Sequence, residues 1–398
     1  MNNNPATSYK RSYSESQSCT QPNSFKRSKF TVFLAERKAS NQLECIINYI
    51  KKKETHSSRN KSNTEQLTQD IIEYYENFKQ EDTSFILKQE IRNKMERIII
   101  DIFPTASLFI IGSSNSGFSV ENSDLDMCLY IPDMKEEDHR TICSNLYQIQ
   151  SLFRNPNTLR STLVIPARVP ILKLVDVKND IEVDLNINNI VGVYNTYLMK
   201  AYSYVDCRVA PLIIIVKHWA KFHNINDASK QSLNSYSLAL MVLHYLQVCH
   251  PPVIPALQQR NKELFDIDNY SLQHFSDYKS LKDKLIWKSE NEQSLGQLLR
   301  SFFHYYAYEF KFDTDAISVR LGAKIHRSQV NRNIPNIKYR HNQSWKYICV
   351  EEPFDKTNTA YSTYNINTFN LIKLAIIYTF KQLDLELKIG SIFHKLPV

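Results

Sequence analysis

The chain has 398 residues, with 49 Lys and Arg against 41 Asp and Glu and 42% hydrophobic residues, enough for a sizeable core and two domains. Its longest apolar run, Val209 to Val216, contains Pro211 and falls short of the ~18 residues of a membrane span. The first thirty residues hold no apolar stretch of a secretory signal, so a protein neither membrane-bound nor exported is expected. Seven scattered cysteines with no C-x-x-C spacing speak against a disulfide framework or zinc knuckle and for a reducing compartment, cytosol or nucleus.

In chain order, residues 1–30 are rich in Ser, Asn and Gln and read as disordered. Residues 31–50 have enough apolar content for a short helix, and 51–62 form a polar linker. The first 62 residues hold 12 Lys and Arg against 4 Asp and Glu, whereas the remainder balances at 37 against 37. All the excess positive charge therefore sits in the tail, which suits RNA, a membrane surface, an importin or a plain solvated linker. Order is expected from Thr64, as N-cap of a helix with Leu67, Ile71, Tyr74, Tyr75 and Phe78 at helical spacing. A second helix is predicted from Ser84 to Asp101. Strands follow at 107–111 and 127–131 around a polar loop, then a helix over 136–153. Three β-rich segments span 161–167, 170–177 and 181–187. Helices are predicted at 194–205, 209–223, 234–249, 295–311 and 366–386, with a mixed region between the last two. The order is helices, a small mixed sheet, then a mostly helical domain.

The most informative segment runs from Phe109 to Tyr130. A strand enters Gly112-Ser113, crosses a loop with Gly117, and meets a strand bearing Asp124 and Asp126. Side chains alternate along a strand, so the two acids share a face and Leu125 takes the other. Neighbouring carboxylates repel unless a cation sits between them, and Mg²⁺ binds one or two carboxylates together with phosphate oxygens. Gly112 lets the backbone approach a phosphate, and Ser113 adds a hydroxyl donor. Asp184, between apolar Val183 and Leu185, is a candidate third acid for a two-metal site; Glu182 reads as a surface residue on the flanking phase. Lys217 and Lys221, at i and i+4 of an otherwise apolar helix, call for an anionic partner such as a triphosphate. His218 and His223 read as packing or surface residues. Tyr236 could stack on a base or pack in the core.

The run G112-S-x3-G-F-x5-D-x-D, then V183-D-L-N, N195-T, V216-K-H-W-A-K, I225-N-D-A-S and L233-N-S-Y-S-L resembles the DNA-polymerase-β-like nucleotidyltransferases. Tyr347-Ile-Cys-Val-Glu-Glu-Pro-Phe-Asp-Lys-Thr-Asn-Thr-Ala360 is similar to the nucleotide-recognition loop of cytoplasmic poly(A) RNA polymerases of the germline-development-defective type. The resemblance covers roughly residues 65–390.

It implies an α+β protein: a nucleotidyltransferase palm-like mixed sheet with helices, plus a mostly helical central, poly(A) polymerase-associated domain. The expected divisions are a disordered basic tail at 1–62, a helix at 63–83 packing on the central domain, a catalytic domain at 84–192, and the central domain at 193–390 with its recognition loop at 347–361. By resemblance, Asp124, Asp126 and Asp184 carry two ions, Mg²⁺ or Mn²⁺, and the reaction. Gly112, Ser113, Lys217, Lys221 and Ser235 would hold the triphosphate of ATP as substrate. Asn189, Asn195 and Thr196 would contact the ribose, and Tyr236 would stack on the base. The activity implied is template-independent transfer of AMP to an RNA 3′ end, with uridylyl transfer or a catalytically weak RNA-associated scaffold as alternatives. Uridylyl-adding relatives carry a His after the Pro-Phe-acid stretch; counting from Pro353 places Asn358 there, so Asn358 is expected to favour ATP over UTP. Two departures stand in the loop: Tyr361 replaces a usual Arg, and Lys356 a usual Gly. No RNA-recognition module is visible in a core of zero net charge, which implies an RNA-binding protein partner. A cytoplasmic location is expected, with a nuclear share through the tail, and no membrane or DNA partner.

Overall fold

The computed structural model describes residues 63–132, 134, 138–153, 159–330 and 345–396. The tail, including the helix expected over 31–50, lies outside the described residues. Helix α1 (Asn63–Phe78) starts one residue before Thr64, which is therefore inside the first turn rather than its cap; its carbonyl accepts from Thr68 Oγ at 2.8 Å. Helix α2 (Asp82–Ile99) begins two residues earlier than its periodicity suggested, because Asp82 is favourable in a first turn.

A five-stranded mixed sheet follows, built from β1 (Ser107–Ile110), β2 (Leu125–Tyr130), β3 (Leu159–Ile165), β4 (Ile171–Asp176) and β5 (Ile181–Ile187). Its order is β1-β2-β5-β4-β3, with β2 and β5 parallel and every other pair antiparallel. Helix α3 (His139–Leu152) lies between β2 and β3 and starts three residues later than expected. The Asp138 carboxylate caps it by accepting from Thr141 N at 2.7 Å, which sets the start.

Strand alternation separates the two faces of this sheet. Leu125, Met127 and Leu129 of β2 and Val183, Leu185 and Ile187 of β5 pack with Ile91, Met95 and Ile99 of α2 and with Leu146 and Ile149 of α3. The residues between them, Asp126, Cys128, Asp184 and Asn186, therefore face the other way. On that side Cys128 joins a second, larger core.

The larger core belongs to the helical lobe: α4 (Ile190–Val205), α5 (Val209–Phe222), α6 (Ser235–Val248), α7 (Leu295–His304) and α8 (Ile366–Leu385). Helix α1 packs here, on α5 and α7, through Leu67, Ile71 and Tyr75. A Cβ on Gly296 would stand 2.7 Å from the Thr64 carbonyl oxygen, so only glycine allows α7 this approach. The helix predicted over 295–311 stops at His304 and continues as one wide turn, Tyr305–Glu309. A three-stranded sheet, β7-β6-β8, was not anticipated; its strands, β6 (Asp315–Ser318), β7 (Ala323–His326) and β8 (Val350–Glu351), are too short for period-2 patterning to declare them. Among the described residues no helix is long and apolar enough to cross a membrane, and Cys128, Cys143, Cys207, Cys249 and Cys349 are in no disulfide.

Candidate active site

The polar face of the large sheet meets α4, Lys217 of α5 lies within the field of Asp126, and the predicted acids lie along that junction. Strand β2 begins at Leu125, so Asp124 sits one residue ahead of it in the loop, not within the strand as the alternation argument assumed. Its backbone carbonyl accepts from Ser114 Oγ at 3.0 Å. Asp126 and Asp184 are register partners on the parallel strands β2 and β5. Glu182, two residues earlier on β5, shares the face of Asp184 rather than the flanking phase, and its side chain is exposed.

The electrostatics reflect this crowding. Burial, then the charges of Asp184 and Asp124, push the Asp126 carboxyl up to about 7. Asp124 is also raised, by burial first and then by Glu182 and Asp184. Lys173, opposite Asp184 on β4, answers part of this charge: its Nζ lies 2.9 and 3.2 Å from the two Asp184 oxygens and 3.7 Å from Glu182. Among the described residues no three acidic, His or Cys side chains already form a closed metal cage. The donor set nonetheless fits a hard divalent ion, since mutually repelling carboxylates with a buried member are what such an ion relieves.

Gly112 turns the chain from β1 into a one-turn helix, Ser113–Ser116, at φ 69°. A Cβ at Gly112 would lie 2.5 Å from Asp126 Oδ2, so the loop passes directly over the acid only because there is no side chain. Gly112 N–H donates to Thr196 Oγ at 2.9 Å, and that hydroxyl donates to the Gly192 carbonyl at 2.7 Å. Thr196 is buried and spends its hydroxyl tying the loop to α4, leaving one lone pair for the ribose contact expected of it. Neighbouring Asn195 differs: its Oδ1 is buried without a hydrogen-bond partner, a group that a ligand hydroxyl would satisfy. Asn189 stands at the N-cap of α4 with no side-chain capping bond.

Lys217 Nζ donates to the Phe118 carbonyl at 3.1 Å at the far end of the same loop. Burial pulls its pKa down to about 8 despite the opposing charge of Asp126. Lys221, one turn on, is exposed. Ser235 opens α6, exposed, with its hydroxyl on Asn226 Oδ1 at 3.1 Å. Tyr236 is half-buried, and its hydroxyl donates to Glu352 at 3.2 Å. Glu352 also accepts the Phe354 N–H at 2.7 Å; burial, then Asp355, raises it to about 8. Asn234 Nδ2 donates to the Thr359 carbonyl at 2.8 Å, and the Ser237 and Thr359 hydroxyls lie 2.9 Å apart. The 347–361 segment is thereby stitched to the start of α6.

Asn358 does not take the base-facing place expected of it. It is 3% exposed, with Oδ1 accepting from Val350 N at 3.0 Å and Ala360 N at 3.1 Å and Nδ2 donating to the Ile348 carbonyl at 2.9 Å. Those bonds brace the loop from inside, because a short polar side chain buried beside unpaired backbone groups is drawn to satisfy them. Lys88, Lys173 and Glu352 were missed by sequence reasoning; each is a charged residue in an ordinary polar context, and only its burial or its partner marks it.

Two family models match: "Poly(A) RNA polymerase, mitochondrial-like, central palm domain" over residues 67–204 and "Cid1 family poly A polymerase" over 294–358. The chain is 38% identical over 310 residues to poly(A) RNA polymerase GLD2-A of Xenopus laevis, covering 78% of this chain and 58% of the relative. It is 37% identical over 340 residues to human poly(A) RNA polymerase GLD2, covering 84% and 67%. The chain thus spans a little over half the length of the Xenopus relative. Among solved structures, the GLD-2/RNP-8 complex superposes with a TM-score of 0.71 at 32% identity, covering 84% of this chain and 99% of that one. The Cid1 poly(U) polymerase crystal structure gives 0.67 at 26%, covering 84% and 99%.

Proposed function

The chain belongs to the GLD2 poly(A) RNA polymerase family, and from that premise we propose that it adds AMP from ATP to RNA 3′ ends without a template. The observation that carries this reading is the register of Asp126 beside Asp184, with Asp124 within their field and the Gly112 loop directly above.

Asp124, Asp126 and Asp184 would hold divalent ions, Mg²⁺ or Mn²⁺. Such ions lower the pKa of an attacking hydroxyl and offset charge on pyrophosphate. The residues of the chain do the rest. Gly112 admits the triphosphate close to the backbone, Ser113 offers a hydroxyl, and Lys217 and Lys221 line one side with positive charge. Lys217 costs little to direct at a phosphate, being held by a single carbonyl. The orphaned Asn195 oxygen can accept from a ribose hydroxyl, which favours ribonucleotides. The Tyr236 ring, anchored through its hydroxyl to Glu352, offers a face for the base. Asp184, relieved of Lys173, would receive the proton of the attacking 3′ hydroxyl.

Residues 63–398 carry no net charge by sequence, so RNA is held weakly and an RNA-binding protein supplies the target; that a GLD-2 structure was solved with RNP-8 supports a partner of this kind. The site of action on this reading is cytoplasmic. Incubating the purified chain with a labelled oligo(A) primer and each NTP in turn, with Mg²⁺, Mn²⁺ or EDTA, tests the proposal. Extension by ATP in either metal and none in EDTA is expected. Extension by UTP in preference to ATP would replace the reading with uridylyl transfer.

A further inference from the structure

Lys88, on α2, is 3% exposed. Its ammonium donates to Gln80 Oε1 at 2.9 Å, Ser114 Oγ at 3.0 Å and Ser123 Oγ at 2.9 Å, so all three of its N–H bonds are used on uncharged oxygens. These partners come from three places: the α1–α2 junction, the one-turn helix after Gly112, and the residue before Asp124. The same groups are cross-linked among themselves. Ser114 Oγ donates to the Asp124 carbonyl, Gln80 Nε2 to the Ser114 carbonyl at 3.2 Å, and the Ser119 and Ser123 hydroxyls lie 2.6 Å apart.

A buried ammonium surrounded by neutral oxygens is a poor way to fill space, since an apolar side chain of similar size would avoid the desolvation cost. Burial does pull the Lys88 pKa below its ordinary value, while Glu121, Asp126 and Asp124 pull it back. The Lys88 charge thus lies within the field of Asp126 and Asp124 while two of its three bonds go to the loop that leads to them.

We infer that Lys88 is a positioning residue for nucleotidyl transfer: its ammonium locks the loop from Gly112 to Asp124 onto α2, holding Ser113 and Asp124 in register for the triphosphate. The inference rests on the function proposed above. It assigns to α2, which contributes no residue to the reacting groups, control over the geometry of the loop.

The test uses the full chain and compares wild type, Lys88→Met, Lys88→Arg and the double variant Ser114→Ala/Ser123→Ala. Primer extension gives kcat and KM for ATP and for oligo(A); hydrogen exchange reports on residues 112–124 against the β3–β4 hairpin; thermal melts report on the fold. Lys88→Met is expected to lower kcat at least tenfold, leave the primer KM within twofold, and speed exchange in 112–124 but not in the hairpin. Lys88→Arg, which keeps the charge and some donors, should regain part of kcat. The serine double variant should show the same pattern at smaller size, about threefold, and decides the matter if Lys88→Met does not fold. Wild-type kcat and loop protection in the folded Lys88→Met variant, or in the serine variant where Lys88→Met is unfolded, would overturn the inference. A general rise in exchange with kcat intact would do the same. An inactive wild-type chain would instead refute the proposed function.

Discussion

Replacing Asn358 by His separates two accounts of base choice. If Asn358 faced the base, an imidazole would crowd a purine and move the preference toward UTP. In the structure Asn358 is buried and bonds to Val350 N, Ala360 N and the Ile348 carbonyl. An imidazole has one donor and at most one acceptor in a rigid ring, so it leaves at least one of these backbone groups without a partner. An orphaned buried group costs about 1–3 kcal/mol, and forcing the larger ring into a packed site costs about 1–3 kcal/mol more. The sum, about 2–6 kcal/mol, falls on the loop that is stitched to Asn234, Tyr236 and Ser237. Asn358→His should therefore lower kcat/KM at least tenfold for ATP and UTP alike, with their ratio within about threefold of wild type. The assay is extension of one primer by each nucleotide, with a thermal melt in parallel. A variant that melts like wild type, keeps its ATP rate no more than modestly reduced, and gains tenfold toward UTP would refute the buried-brace account.

Asp126→Asn removes a carboxylate that burial and its neighbours destabilise, so AMP addition should fall more than a hundredfold while the melting temperature in EDTA holds or rises; a clear drop in melting temperature would count against the crowding argument. Lys217→Met should lower kcat/KM for ATP at least tenfold and Lys221→Met only a few-fold, because Lys217 is shielded and within the field of Asp126 whereas Lys221 is exposed and screened; equal effects would remove the distinction. His244 is fully buried, with its ring on the Tyr305 hydroxyl at 3.0 Å, and burial holds its pKa down to about 3. The unfolded chain takes up this proton near pH 6.5 and the folded chain does not, so stability should fall as pH drops from 6.5 toward 3, by up to about 1.4 kcal/mol per pH unit from this residue. Urea midpoints at pH 7 and pH 5 should show that share vanish in His244→Gln, and an unchanged difference between the two would exclude it.

Much of this protein is local in origin and was legible as such. The helical spacing of Leu67, Ile71 and Tyr75 and the apolar run of α5 follow from period 3.6, and those elements form where that pattern lies. The Gly112-Ser113 turn and the Asp-x-Asp spacing announced a tight glycine turn beside paired acids, since both depend on neighbours a few residues apart. Boundaries drifted where a cap rather than periodicity ended the element, as at Asp138. Whatever depended on distant pairing was not legible. Asp184 stands next to Asp126 because β5 inserts parallel to β2 between it and β4, a register set by burial of Val183 and Leu185 against α2 and α3. Tertiary packing in each lobe likewise turned Asn358 inward, buried Lys88 under the loop, gave Lys173 to Asp184 and joined Tyr236 to Glu352, 116 residues away. A side chain's type and its immediate neighbours set which bonds it can make. Which bonds it does make depends on the groups left unpaired around it once water is excluded, and those groups are brought there only by the folded chain.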